Sequence, residues 1–375
     1  GRFNGQGYKI RNFKAVSKVA ETGGTFGLFG VIGPGSVVEN FIFESSCSLT
    51  VQSPAKSTSH GLIAGLLYDG TVRDVHSYAP MTFQSKTGVK NAAQFMALIG
   101  YVFTQNAEVT IDSVDNFGEI IAENADGNDQ GGANAFHIAG IVGFSTATVD
   151  TQHFVTISDC SNEGNMTSAT CRTSGICAAA NRRTKMVNCI NKGNQLNSCP
   201  GPDKGRIANI ACNVANVSSM TGCVNYGDII STTSARTAGI ANLSNNCEFT
   251  NCANYGNVQS DNKYRGLFWA YNNGLASWSS CVAGGTVGTY NDGKGVADEY
   301  TDAAKVNYLG VQGASKTTLN DITYLIGVKD PEPPVESNAK LKILFIGNSF
   351  TKDAVEHIPG LLAAAGIKDI KLYHM

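Results

Sequence analysis

Between residues 139 and 285 the apolar positions fall into short runs of three to six residues. Val155-Thr156-Ile157 and Val217-Ser218-Ser219-Met220 are examples, each bounded by Asn, Gly or Ser. Runs this short are below helix length and fit strands joined by turns. They also recur. Asp159-Cys160-Ser161-Asn162-Glu163-Gly164 returns as Asn188-Cys189-Ile190-Asn191-Lys192-Gly193, as Gly222-Cys223-Val224-Asn225-Tyr226-Gly227 and as Asn251-Cys252-Ala253-Asn254-Tyr255-Gly256. A degenerate copy follows at Ser280 to Gly285, and an earlier one, Ser113 to Gly118, has Val114 in the Cys place. The Cys spacings are 29, 34, 29 and 29 residues, the size of one unit of a repeat array.

A second mark precedes most copies by roughly 14 residues: Ala139-Gly140-Ile141, Ser174-Gly175-Ile176, Ala208-Asn209-Ile210, Ala238-Gly239-Ile240 and Arg265-Gly266-Leu267. Each unit is therefore expected to hold two or three short strands. A period near 29, rather than four strands in about 42 residues, favours a right-handed parallel β-helix of about ten coils over a propeller. In such a fold, equivalent residues of successive coils stack about 4.8 Å apart. Cys is expected to point inward as a small apolar filler, Asn to form amide ladders, and Gly to supply positive φ.

The first residues fit the same scheme with looser spacing. Phe3-Asn4-Gly5-Gln6-Gly7-Tyr8-Lys9-Ile10-Arg11-Asn12-Phe13 reads as strand, turn, strand, and is followed by Gly27-Leu28-Phe29-Gly30 and Val38-Glu39-Asn40-Phe41. These segments resemble the opening coils of bacterial surface β-helices that carry GLUG-like motifs, and the Cys-x-Asn-x-Gly copies resemble their later coils. The resemblance spans about residues 1–300. It implies a cell-surface or secreted location.

Composition narrows the partners. With 28 Lys+Arg against 30 Asp+Glu, a net charge of −2 and only 15% charged residues, the chain lacks the clustered cations of a nucleic-acid binder. Arg182, Arg183 and Lys185 form the most basic stretch and read as a solvated loop. No apolar run approaches the ~20 residues of a membrane helix. Eleven cysteines, an odd number without a CxxC pair, point to buried thiols rather than to a metal site or a complete set of disulfides. No cofactor or metal is expected, and the chain is expected to be a monomer. The sequons at Asn165, Asn216 and Asn242 are of the number that chance gives in an Asn-rich repeat.

The repeat pattern covers residues 1–298. Residues 299–328 read as a C-terminal cap of the solenoid, and 329–339, with Pro331, Pro333 and Pro334 among acidic residues, as a stiff linker. From 340 the pattern changes. Leu341-Lys342-Ile343-Leu344-Phe345-Ile346 is a buried-strand run, Gly347-Asn348-Ser349-Phe350-Thr351 a tight turn, and Lys352 to Ala365 a helix, together a βαβ opening. Ile-Gly-Asn-Ser-Phe-Thr resembles the first block of SGNH (GDSL-like) hydrolases. That resemblance implies Ser349 as the nucleophile of ester hydrolysis; the plainer reading is a strand-to-helix turn capped by Ser. The family's later histidine block is not matched by His357 or His374, so the polypeptide as given is expected to be inactive as an esterase.

Two further readings concern the repeats. A lyase or glycosidase needs paired acids on one face, but Asp159, Glu163, Asp228, Glu248 and Asp261 do not recur at the coil spacing. Aromatic residues do better: Tyr226 and Tyr255 share a repeat position, and Tyr264, Trp269, Tyr271 and Trp278 follow. Ring faces at this spacing suit the apolar faces of sugars; they serve equally to cover the coil edge. The expectations are thus a glycan- or host-surface-contacting module tethered to an incomplete hydrolase domain, an esterase on acylated glycans once that domain is complete, or a spacer without a ligand.

Overall fold

The structure is a computed structural model and describes residues 1–17, 24–52, 57–84, 93–124, 135–199, 205–233, 235–262, 265–272 and 276–288. The expected cap, linker and SGNH-like fragment with Ser349 lie outside the described residues. The described residues are all-β, without a helix.

One repeat shows the arrangement. Strand Arg172–Ser174 belongs to a ten-stranded sheet, Thr184–Val187 and Ile190–Asn191 to a fifteen-stranded sheet, and Gln195–Asn197 to a nine-stranded sheet. Arg206–Ala208 then returns to the ten-stranded sheet. Each repeat thus carries four strand segments, more than the two or three expected. Every strand lies parallel to its counterpart one repeat on: Thr173 faces Ile207, Met186 faces Met220, Asn191 faces Asn225 and Leu196 faces Ile230. This order is compatible with a solenoid, and we call each repeat a winding. Earlier windings are longer, as in the pairing of Ile111 with Ile157, which fits the looser spacing of that part of the sequence.

In-register stacking turns sequence marks into columns. Val75, Val114, Cys160, Cys189, Cys223, Cys252 and Cys281 follow one another inside the molecule, each at most 1% exposed. Backbone bonds join consecutive members, such as Ile190 N to Cys160 O and Val224 N to Cys189 O. The amide column runs through Asn116, Asn162, Asn191, Asn225 and Asn254, whose Nδ2 groups donate to the next Oδ1 at 2.8, 2.8, 2.9 and 2.7 Å. Each Nδ2 also donates to the carbonyl two residues ahead, at Gly118, Gly164, Gly193, Gly227 and Gly256. These amides are fully buried or nearly so, and the ladder satisfies groups that would otherwise be costly to bury, apart from Asn116 Oδ1 at its head.

The role expected for the glycines needs correction. Gly164, Gly193, Gly227 and Gly256 do not have positive φ. Glycine stands there because the windings approach too closely for a side chain: a Cβ on Gly227 would lie 2.1 Å from the carbonyl oxygen of Gly193. The left-handed conformation belongs instead to the residue before Cys. Asp159, Asn188, Gly222, Asn251 and Ser280, with Asn40, Asp74 and Ser113 in the earlier windings, have φ between 50° and 64°. This accounts for the Asn, Asp and Gly at that position, the residues that tolerate αL best.

The filling of the core changes along the chain. Early windings hold Phe41, Phe43, Phe83, Leu62, Leu67 and Met96, all buried; later windings add Cys, Ala and Val with buried Asn, Ser and Thr beside larger side chains such as Met186, Met220 and Phe249. Truncating a ring such as Phe43 to Ala costs about 3–5 kcal/mol. The fifth corner mark is also shifted by one residue. Gly266, not Arg265, pairs with Ala238, and Arg265 takes the inward place of Thr237, where its Nη1 donates to Ser260 O at 2.8 Å.

Candidate functional site

The corner mark also builds a cleft. Two residues before its Ala or Ser, on the same face of the strand, stand His137, Arg172, Arg206 and Arg236. They form one register column that continues Thr25, Ser59 and Phe95. The small residues Ala139, Ser174, Ala208 and Ala238 are buried at the base of this wall. The facing wall is the column that runs through Val31, Leu66, Tyr101 and Phe144 and continues past Ala179 to Asn213 and Leu243. Phe95, Tyr101, His137, Phe144, Arg172, Asn181 and Asn213 line a cleft of about 440 Å³.

One end of the cleft is aromatic. Tyr101 and Phe144 stack at 5.5 Å with their planes 7° apart, and Phe95 lies 5.4 Å from Tyr101 and 5.2 Å from Phe144. The other end is cationic. His137 Nδ1 lies 2.9 Å from Ala135 O and therefore carries the proton, which leaves Nε2 to accept from Arg172 Nη1 at 2.8 Å. Burial, and then the Arg172 charge, hold His137 well below the usual histidine pKa, so it is neutral and the positive charge sits on arginine. Arg206 Nη1 donates to Asn213 Oδ1 across the cleft at 3.1 Å. Burial first, and then Arg172 and Arg236, push Arg206 down to about 10, which leaves it charged at neutral pH.

Of the aromatic residues singled out in the sequence, Tyr226 and Tyr255 belong to one apolar cluster and Trp278 to another. Tyr226 and Tyr255 do meet, with ring centroids 5.2 Å apart, and pack on Val224, Ala253 and Val282 at an outer corner. The same column holds the stacked pair Tyr78 and Phe117, centroids 4.7 Å apart, and the Lys192–Glu163 ion pair at 2.6 Å. Trp278 pairs in register with the fully buried Phe249 and packs against the main core. Tyr264 lies outside the described residues. Trp269 and Tyr271 pair with Ala241 and Leu243, so Tyr271 continues the register column of Asn213. The basic stretch covers Phe154: Lys185 Nζ lies 3.8 Å and Arg183 Cζ 5.4 Å from the ring centroid.

The cleft residues were missed in the sequence although a signal exists. His-Ile-Ala-Gly-Ile, Arg-Thr-Ser-Gly-Ile, Arg-Ile-Ala-Asn-Ile and Arg-Thr-Ala-Gly-Ile, beginning at His137, Arg172, Arg206 and Arg236, put a nitrogenous side chain at one fixed offset from the mark.

The thiols offer no comparable chemistry. All eleven cysteines are buried, and burial pushes Cys160 and Cys223 upward and Cys212 up to about 12. Only Cys281 among the thiols with a resolved shift is lowered, by its hydrogen bond with Cys252, and it is 1% exposed; a nucleophilic thiol needs both a lowered pKa and access. Among the described residues no group of three or more His, Cys, Asp or Glu is placed to hold a metal ion, and no helix is long and apolar enough to cross a membrane. Comparison with protein families, with curated proteins and with solved structures gave no match.

Proposed function

We propose that residues 1–298 form a right-handed parallel β-helix of about ten coils that acts as a glycan-contacting module of a surface or secreted protein. The cleft between the two corner columns carries this reading. It combines half-exposed rings, Phe95, Tyr101 and Phe144, with the polar groups of Arg172, Asn181 and Asn213. Sugars ask for that combination: apolar C–H faces against rings, and hydroxyls against amide and guanidinium groups. The in-register parallel columns support the β-helix, since such columns arise when equivalent positions of successive coils stack. The burial of all eleven cysteines removes the conflict between so many thiols and an oxidising exterior.

An array of neutral and acidic oligosaccharides probed with the full chain tests the reading. Binding is expected, weakened about tenfold or more by Tyr101→Ala or Phe144→Ala, with Tyr226→Ala and Tyr255→Ala as separate probes of the outer corner. A chain that binds no oligosaccharide would leave a spacer. The esterase reading rests on the sequence around Ser349 alone.

A further inference from the structure

We infer that the cleft selects an acidic linear polysaccharide, its carboxylate or sulfate groups held by the register row Arg172, Arg206 and Arg236, of which Arg172 lines the cleft and Arg206 bonds to its Asn213. The inference rests on the reading of the cleft as a glycan site. Three arginines one winding apart form a row with a rise of about 4.8 Å, close to the length one sugar residue adds to an extended chain. A polymer with a charge on successive residues therefore stays in step with the row.

The setting of Arg206 is locally positive. His137 at the head of the row is neutral and occupied by Ala135 and Arg172. The neighbouring charges that act on Arg206 as cations are Arg172 and Arg236; its hydrogen bond across the cleft goes to the uncharged Asn213. Among the described residues no carboxylate forms an ion pair with Arg206. Arg172 and Arg236 both disfavour the charge on Arg206, and an anion laid along the row offsets this while accepting charge-assisted hydrogen bonds. The rings of Phe95, Tyr101 and Phe144 at the other end give an adjoining surface for sugar faces. Nucleic acid suits the site less well, since the chain has a net charge of −2 and duplex or single-strand binders spread many cations along the backbone path.

The test is titration calorimetry of the full chain with four probes of matched length: an oligogalacturonate, a sulfated oligosaccharide, a neutral cello-oligosaccharide and single-stranded DNA. The acidic sugars are expected to bind at least about tenfold more tightly than the neutral one. Arg206→Gln is expected to remove about that factor and to lower the salt dependence by about one ion, and Arg206→Lys to restore part of it. Binding of only one acidic sugar identifies carboxylate or sulfate as the group read. Equal binding of neutral and acidic sugars, unchanged in Arg206→Gln, overturns the inference but leaves the glycan site standing. Absence of all sugar binding overturns both, and tighter binding of DNA overturns the acidic-sugar assignment. Circular dichroism of each variant confirms that the strands are retained.

Discussion

Gly193 lies directly over Gly164: a Cβ on Gly193 would come 2.1 Å from the Gly164 carbonyl oxygen, which also accepts the Asn162 amide at 3.0 Å. Backbone cannot step aside as a side-chain end can. Gly193→Ala is therefore expected to cost about 3 kcal/mol, from overpacking together with damage to a buried hydrogen bond. Gly33→Ala, where nothing lies within 4 Å, is expected to change stability by less than about 0.5 kcal/mol. Urea unfolding of the two variants decides between steric and conformational roles for the repeat glycines.

His60 makes the fold sensitive to acid. Its Nε2 lies 2.7 Å from Thr58 Oγ1, its ring stacks on Phe26 at 5.4 Å, and burial pushes its pKa down to about 4. The unfolded chain takes up this proton below about pH 6.5, the folded chain only near 4. Stability from the neutral ring is complete above pH 6.5, falls as pH drops from 6.5 to 4, and is level below that. The loss over this window is about 3 kcal/mol. His137, also lowered by burial, acts in the same direction. His60→Met, which introduces the side chain found one winding on at Met96, is expected to flatten the slope of unfolding free energy against pH; an unaltered slope would refute the assignment.

Val217 is a β-branched residue with φ of 67°, next to Asn216 at 54°, where the register of strand Ala211–Thr221 slips. Its side chain is 51% exposed, so little packing offsets the strain. Val217→Gly is expected to raise stability by about 1 kcal/mol, measurable as an upward shift of the unfolding midpoint.

Cys171 and Cys199 place their sulfurs 2.9 Å apart, against about 2.05 Å in a bond. Refolding with oxidised glutathione is expected to join this pair. The two thiols give up two protons and two electrons, and the glutathione disulfide is reduced to two thiols. Peptide mapping without reductant should yield the cross-linked 171/199 peptides, and their absence would count against the placement of these side chains.

The repeat made the stacking legible because Cys and Asn are unusual choices for a narrow interior, and their spacing gave the column directly. Val114 was readable as a Cys substitute, and it occupies that column. The reason for the glycines was not legible. Turn and close approach both select Gly, and only the 2.1 Å contact at Gly227 separates them. Trp278 was read as a ring for a ligand, but register with Phe249 sets it against the core. Arg172, Arg206 and Arg236 stand two residues before marks that are legible in the sequence, at the same spacings of 34 and 30 residues, but charged residues on a strand read as solvated until the facing column with Asn213 is in place. Loops of unequal length alter the count without disturbing the column.

The register also decides which changes of length the chain tolerates. Duplicating or deleting one whole 29-residue unit, such as Cys160 through Asn188, keeps the column that runs to Cys281 and the ladder that runs to Asn254 in step. Adding one residue inside a strand turns each following side chain to the opposite face. Growth by complete units and resistance to single-residue slippage are thus two results of the same parallel alignment.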